Sequence, residues 1–396
     1  SEGWRWAEVS SWHFWTGFND PDVFNVWQPI VCLCRQWNWT WGSGSTVTRT
    51  MKLMNNTRND ESLSVTATLH LNGKRAGDRE KRFEVAAGET RAFELSFDIP
   101  EVKERTSGRF RVAVARNGDE IWSNEKPVSV LAPTQIEKPD LKQGDLALCD
   151  PNGVVAAYLT SWGVPFTPFD VDGDVPDDAD IVLVGPDAIA EREAGDTRWY
   201  ALAASGRKVI VLDQAHPLRY RALPADLGVT DFTGRIGFSE DLNHPIFDGL
   251  TQKDFFTWGN DHVLYRNAYK KGSKGGRSLL QCDDRLSCTA LFESQVEDGL
   301  LLLSQLAIGG KLGSEAVAQQ IFRNMLNYAA DFTPVHRLAR VVLPKNDRRN
   351  TLLGEIKLKH TDEGDPLAAL VPGDIAVIDA RPENLAVLAN HRDRIH

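Results

Sequence analysis

One stretch constrains the fold more than any other: GLLLLSQLAIGGKLGSEAVAQQIFRNMLNYAA, residues 299–330. Residues 300–306 form a short apolar run, too brief for a helix and closed by Gly309 and Gly310, as expected of a strand covered on both faces. Ser314 then offers an N-cap and Glu315 suits the positive end of a helix. Val317, Ala318, Ile321, Phe322, Met325, Leu326 and Ala329 recur at helical spacing as one apolar stripe. A buried strand feeding an amphipathic helix is an α/β unit, and this one holds no reactive side chain at a diagnostic spacing.

The preceding residues extend the pattern into an α/β domain over 144–333. Residues 146–149 read as a strand. Asp150 is the expected cap, Pro151 the first helical position, and Gly163 the stop of a helix with Val154, Val155, Tyr158, Leu159 and Trp162 on one face. Strands at 166–169, 181–184 and 209–212 and a helix near 199–204 follow. Strands alternating with helices imply a doubly wound, mostly parallel sheet, with ligands at the carboxyl ends of its strands. Residues 338–396 repeat the opening of this domain and then stop, so they read as a truncated α/β repeat.

Between 28 and 133 the period changes to two. Leu63, Val65, Ala67, Leu69 and Leu71 alternate with polar residues, and Asn72-Gly73 and Asn117-Gly118 are hairpin turns that need positive φ. Several short strands without a helix predict an immunoglobulin-like β-sandwich. The charged run 74–82 reads as a solvated hairpin, and residues 131–141 as a linker.

Composition narrows the partners. Acidic residues number 55 against 45 basic, a net charge of -10 that argues against nucleic acid and against an anionic membrane surface. No run approaches the length of a membrane span. The five cysteines read as reduced core residues, and Cys32-Leu33-Cys34 is not a zinc spacing, so neither a metal nor another cofactor is expected. His244, Asp248 and His262 lie in loops and read as groups that satisfy backbone. Asn38-Trp39-Thr40 and Asn55-Asn56-Thr57 match the glycosylation acceptor pattern, which is too short to be specific.

Of twelve tryptophans, eight fall within residues 1–41. Packing between domains is the favoured account, because each ring buries a large area and its N–H needs one partner. The alternative is a sugar platform in which aromatic faces take a pyranose while His13, Asn19 or Asp20 bind its hydroxyls. A helix is expected over residues 2–9, then an extended 10–16, then a loop at Asn19, Asp20 and Pro21. Such a piece cannot form a domain alone.

In this order, SSWHFWTGFND, then PDVFNVWQPIVCLCRQWNW, then HPIFDGL and GLLLLSQL, the chain resembles the post-barrel half of a family 2 glycoside hydrolase of the β-galactosidase and β-glucuronidase type. The resemblance implies that residues 1–27 end a (β/α)8 barrel and that 144–333 form an amidotransferase-like, flavodoxin-like accessory domain. It also implies substrate contacts from His13, Trp15, Asn19 and Asp20, with no catalytic residue in this chain, because the family's two glutamates lie on earlier barrel strands. The chain then reads as an accessory, non-catalytic part of a carbohydrate-active enzyme, with an oligo- or polysaccharide, the catalytic barrel or a second copy of itself as partner. A stand-alone carbohydrate-binding or assembly module is the alternative. An amidotransferase-like hydrolase is disfavoured, since neither Cys149 nor Cys282 sits in a Gly-x-Cys-x-Gly turn.

Overall fold

The computed structural model describes residues 2–9, 21–132, 138–336, 338–344, 346–356, 358–369 and 375–394. The chain is β-rich, with several sheets and few helices, and it divides into two compact units, Ser1–Phe332 and Thr333–His396.

The first unit opens with two short helices, α1 (Glu2–Trp6), shorter than the helix expected over 2–9, and α2 (Pro21–Val26), which starts at the last residue of the expected loop. Proline at the first position and Asp22 in the first turn account for it. Eight strands follow: β1 (Ile30–Cys34), β2 (Thr40–Gly42), β3 (Thr46–Asn55), β4 (Glu61–Leu71), β5 (Lys74–Val85), β6 (Thr90–Asp98), β7 (Thr106–Arg116) and β8 (Asp119–Leu131). They make a three-stranded sheet, β1-β3-β6, and a five-stranded sheet, β2-β8-β7-β4-β5. The inward residues of both share one core, from Met51 and Leu53 on one side to Val65, Leu69, Phe110 and Val114 on the other. The Asn-Gly turns have the required backbone, with φ of 48° and 76° at Asn72 and Gly73 and 51° and 91° at Asn117 and Gly118.

The next ten strands share one sheet. Those that form its parallel part are β9 (Leu146–Cys149), β10 (Thr167–Pro168), β11 (Ile181–Val184), β12 (Lys208–Val211) and, after a series of short strands, β18 (Gly299–Ser304). They run in the order β10-β9-β11-β12-β18. Helices α3 (Val154–Trp162), α4 (Arg198–Ala204) and α5 (Ala316–Ala330) cover them. Alternation assigns the faces: Leu146, Leu148, Ile181, Leu183, Leu300 and Leu302 pack with Val155 and Leu159 of α3 and the stripe of α5. Val182, Val184, Val209, Val211, Leu301 and Leu303 pack with Trp199 and Ala203 of α4.

The sheet departs from the mostly parallel expectation beyond β18. There β13 (Gly228–Val229), β14 (Gly237–Phe238), β15 (Tyr269–Lys270), β16 (Arg277–Cys282) and β17 (Cys288–Val296) add an antiparallel half. The reason is local. Only Glu297 and Asp298 separate β17 from β18, and Glu297 takes a φ of 49°, so the chain turns as a hairpin with no room for a crossover helix. At Gly299 a Cβ would come within 2.2 Å of the Ala203 carbonyl oxygen, which requires glycine where this strand starts.

Two helix starts also differ from expectation. Helix α3 begins at Val154 after Gly153 in the left-handed region, three residues beyond Pro151, although the Asp150 carboxylate still accepts from the Ala156 N–H at 2.9 Å. Helix α5 has Glu315, not Ser314, at its N-cap position, and that carboxylate turns outward from its helix to other loops. Its Oε2 accepts from Gly259 N at 2.9 Å and from Asn38 Nδ2, in the sandwich, at 3.1 Å. A second buried carboxylate, Asp254, accepts from Thr40 Oγ1 and from Arg105 Nη2, both at 2.7 Å. These two acids join the sandwich to the mixed sheet within one compact unit.

The second unit holds β19 (Ala339–Val342), β20 (His360–Asp362) and β21 (Ala376–Ile378) with helices α6 (Arg348–Glu355) and α7 (Pro382–Asn390). Its parallel strands run β20-β19-β21, the order in which β10-β9-β11 stand.

Replacing Phe322, 1% exposed under the sheet, is expected to cost about 3–5 kcal/mol as Phe322→Ala in urea unfolding. Asp254→Ala, which strands Arg105 and Thr40 at the joint, is expected to cost about 3 kcal/mol and to lower the thermal midpoint. A change within experimental error for either variant would show that the contact is not part of the folded joint.

Candidate functional site

The sequence-based substrate contacts His13, Trp15, Asn19 and Asp20 lie outside the described residues. Their aromatic neighbours are engaged in packing. Arg49 is buried with its guanidinium 5.1 Å from the Trp39 ring and 5.0 Å from that of Trp41, and both its terminal nitrogens donate to Asn38. Burial lowers its pKa, and the ring faces supply part of the compensation. Lys52 stands over Trp6, Arg5 over Trp27, and Trp122 donates its N–H to the Asn25 carbonyl at 2.8 Å. Trp37 stacks on His262 with ring centroids 5.5 Å apart while Arg235 lies over it at 4.9 Å.

The carboxyl edge of the parallel strands carries a cleft of about 460 Å³. It opens at the ends of β9 and β10, with β11 on the other side of β9. Phe166, Phe169 and Val171 give it apolar walls and Asp150, Asp170 and Asp172 an acidic rim, with no basic side chain among the lining residues. The strand-end rule points to Asp150; the aromatic wall, Phe166 before β10 and Phe169 after it, carries no site signal in the sequence. At Gly185 a Cβ would fall 2.7 Å from Asp150 Oδ1, so glycine lets the two strand ends close on this carboxylate. Asp150 thereby occupies the start of α3, where a phosphate would otherwise sit. The cleft is suited to a neutral or cationic molecule with an apolar face.

Cys149 at the floor is 2% exposed, and burial pushes its thiol up to about 11, so it is not poised as a nucleophile. Beside it, the end of β12 is fully committed. Asp213 accepts from Arg266 Nε at 2.8 Å and from Gly309 N at 3.2 Å, and its pKa is raised because burial outweighs that pairing. Arg266 also reaches Asp187 at 2.8 Å. The side chains of Gln214 and Gln305 span the adjoining loop backbones, with Gln214 Nε2 donating to Gly185 O at 2.7 Å and Gln305 Nε2 to Asn267 O at 3.0 Å. These polar groups hold loops rather than substrate.

A third polar cluster surrounds Glu293 of β17, facing Tyr328 of α5. His244 caps the following turn, its Nδ1 accepting from Ile246 N at 3.3 Å, while Nε2 stands 3.6 Å from Glu293 Oε2, beyond hydrogen-bond reach. Tyr328 donates to Glu293 Oε1 and Arg277 Nε to Oε2 at 2.6 Å. Burial alone would raise this carboxyl; the nearby His244 ring and the bonds from Tyr328 and Arg277 outweigh it and hold it at about 2. Among the described residues no group of three or more His, Cys, Asp or Glu side chains could hold a metal ion. The glycosylation patterns are also spent: Asn55 is fully buried with Nδ2 donating to three carbonyls, and the Asn38 amide is in the joint.

No protein-family model matches this chain, and no curated protein matches it. Among solved structures, an alkylpurine DNA glycosylase from Pseudomonas fluorescens, bound to DNA with an abasic site analog, is 17% identical over 24% of this chain and 28% of its own, with a TM-score of 0.19. A CARDB domain from Pyrococcus furiosus in complex with di-metal ions is 10% identical over 26% of this chain and 91% of its own, with a TM-score of 0.20. A β-glucosidase from Listeria innocua in complex with glucose is 13% identical over 26% of this chain and 16% of its own, also at 0.20. The chain therefore spans a minor part of the glycosylase and of the glucosidase. Scores this low carry no argument about function.

The Glu293 cluster gives a pH test with a definite sign. Its folded pKa of about 2 lies below the ordinary 4.5, so the stability it contributes is present above 4.5 and is lost as pH falls from there through 2. Glu293→Gln is expected to lose a few kcal/mol at neutral pH and to flatten the acid limb of a stability-against-pH curve measured by urea unfolding. An unchanged acid limb would rule out Glu293 as its source.

Proposed function

We propose that this chain is an accessory, non-catalytic region of a carbohydrate-active glycoside hydrolase. In this reading an immunoglobulin-like sandwich and a doubly wound, amidotransferase-like domain form a rigid support. The segment at residues 10–20 carries sugar contacts through His13, Trp15, Asn19 and Asp20. The observation that carries the reading is the joint: Asp254 and Glu315 are buried acids whose partners Thr40, Arg105 and Asn38 come from the sandwich, an arrangement that favours a fixed scaffold over a moving catalytic cleft. The resemblance of the domain order to the post-barrel half of family 2 hydrolases supplies the substrate class. Its partners would be an oligo- or polysaccharide and a catalytic barrel or a second copy of the chain.

A stand-alone carbohydrate-binding module would use the same contacts without a barrel. The amidotransferase-like alternative is weakened by its thiols: Cys149 and Cys282 are buried, and burial pushes them up to about 11 and about 12.

Two assays separate these readings. Chromogenic β-galactosides, β-glucuronides and glutamine are expected to show no turnover by this chain above blank. Neutral and acidic oligosaccharides are expected to change its tryptophan fluorescence, and Trp15→Ala with Asn19→Ala to remove most of that change. Turnover that survives purification would overturn the non-catalytic reading, and a flat titration with every glycan would remove the sugar contacts.

A further inference from the structure

Cys282 ends β16 and Cys288 begins β17, and the two stand directly opposite each other in the antiparallel register. Opposed residues of such a ladder have Cα atoms about 4.5–5.5 Å apart, inside the range of about 4.4–6.8 Å that a disulfide spans. Both thiols are free, at 0% and 1% exposure, yet they are the last ladder pair before the turn. That turn is exposed at Asp284, Arg285 and Ser287. It is held chiefly by Asp283, whose Oδ1 accepts from Arg285 N at 2.8 Å and Ser287 N at 2.9 Å and whose Oδ2 accepts from Ser287 Oγ at 2.6 Å. Local opening of this turn loosens the end of the ladder that carries both cysteines, whose sulfurs pack in the core beside Tyr265, without unfolding the rest of the sheet.

The other thiols lack this relation. Cys32 and Cys34 lie two positions apart along a single strand, and Cys149 ends β9 on the parallel side of the sheet, away from the β16–β17 hairpin.

We propose that Cys282 and Cys288 are an oxidative modification site, closing to a cross-strand disulfide that clamps this hairpin when a low-molecular-weight disulfide is available. In the open turn the Cys288 thiolate attacks one sulfur of the small disulfide, forming a mixed disulfide and releasing one thiolate. The Cys282 thiolate then attacks the Cys288 sulfur and releases the second. Two protein thiols lose two protons and two electrons, and the small disulfide is reduced to two thiols. Burial of both thiols in the closed turn makes the native reaction slow and ties its rate to turn opening.

The test is incubation of the whole chain with oxidised glutathione, natively and during refolding from urea, followed by thiol counting in denaturant. The five thiols are expected to fall to three, with the loss mapped by peptide mass spectrometry to one Cys282–Cys288 link. Asp283→Ala, which loosens the turn, is expected to speed native closure on the order of tenfold, whereas Cys282→Ser and Cys288→Ser each abolish the link. A link between other cysteines, glutathione adducts without a link, or five intact thiols after refolding in the same mixture would overturn the proposal.

Discussion

Buried carboxylates that reach from loops of the mixed sheet to side chains of the sandwich determine how the first unit is joined. Glu315 stands at the start of α5 but gives its oxygens to Gly259 and Asn38, and Asp254 takes Thr40 and Arg105 as well as the N–H and hydroxyl of Thr251. An ionised acid in such surroundings is costly unless every lone pair is met, and burial does raise the pKa of Glu315. The penalty is contained because the donors come from two layers at once. Removing the sandwich would leave each acid with only part of its donors, Thr251 for Asp254 and Gly259 for Glu315, so the sandwich completes the pairing of both.

The same constraint explains which readings of the sequence held. The strand at Gly299–Ser304 and the stripe of α5 were legible because apolar periodicity is set by neighbours along the chain, and Leu300, Leu302, Ile321 and Phe322 are where that pattern puts them. Caps were less legible. Ser314 and Pro151 have the right chemistry for helix starts, but Glu315 takes the cap position of α5 while binding distant groups, and α3 begins only after Gly153, with Asp150 still bonded to Ala156 N. The antiparallel half of the sheet was hidden for a related reason: Glu297 in the left-handed region decides for a hairpin, and glutamate carries no sequence signal for that conformation.

The tryptophans show composition misleading in a different way. A dense aromatic segment is equally good as a ligand platform and as cover for buried cations, and nothing in spacing separates the two. Arg49, inside the sandwich and facing Trp39 and Trp41, tips the described rings toward cover. Sugar recognition, if it belongs to this chain, therefore falls to residues whose faces are not spent on Arg5, Arg49, Lys52 or His262.

Internal acids also limit what the α/β segments can bind. Asp150 accepts from Ala156 N at the start of α3, and in the second unit Asp347 accepts from Arg349 N at the start of α6. The glycine-rich loop at 272–276, which lacks the Lys-Ser/Thr and helix of a phosphate cradle, is likewise occupied: Asp226 takes the N–H groups of Ser273 and Lys274 at 2.8 and 3.2 Å. Each is a place where oriented backbone donors would attract an anion. In each a carboxylate from the same unit is already there, at fixed distance and without the entropy loss of binding a free ligand, so an incoming phosphate would have to displace a like charge. Nucleotide and phosphoryl chemistry are thereby disfavoured at these positions, and the acidic rim of the cleft favours a partner that is uncharged or positive, as most sugars and amines are.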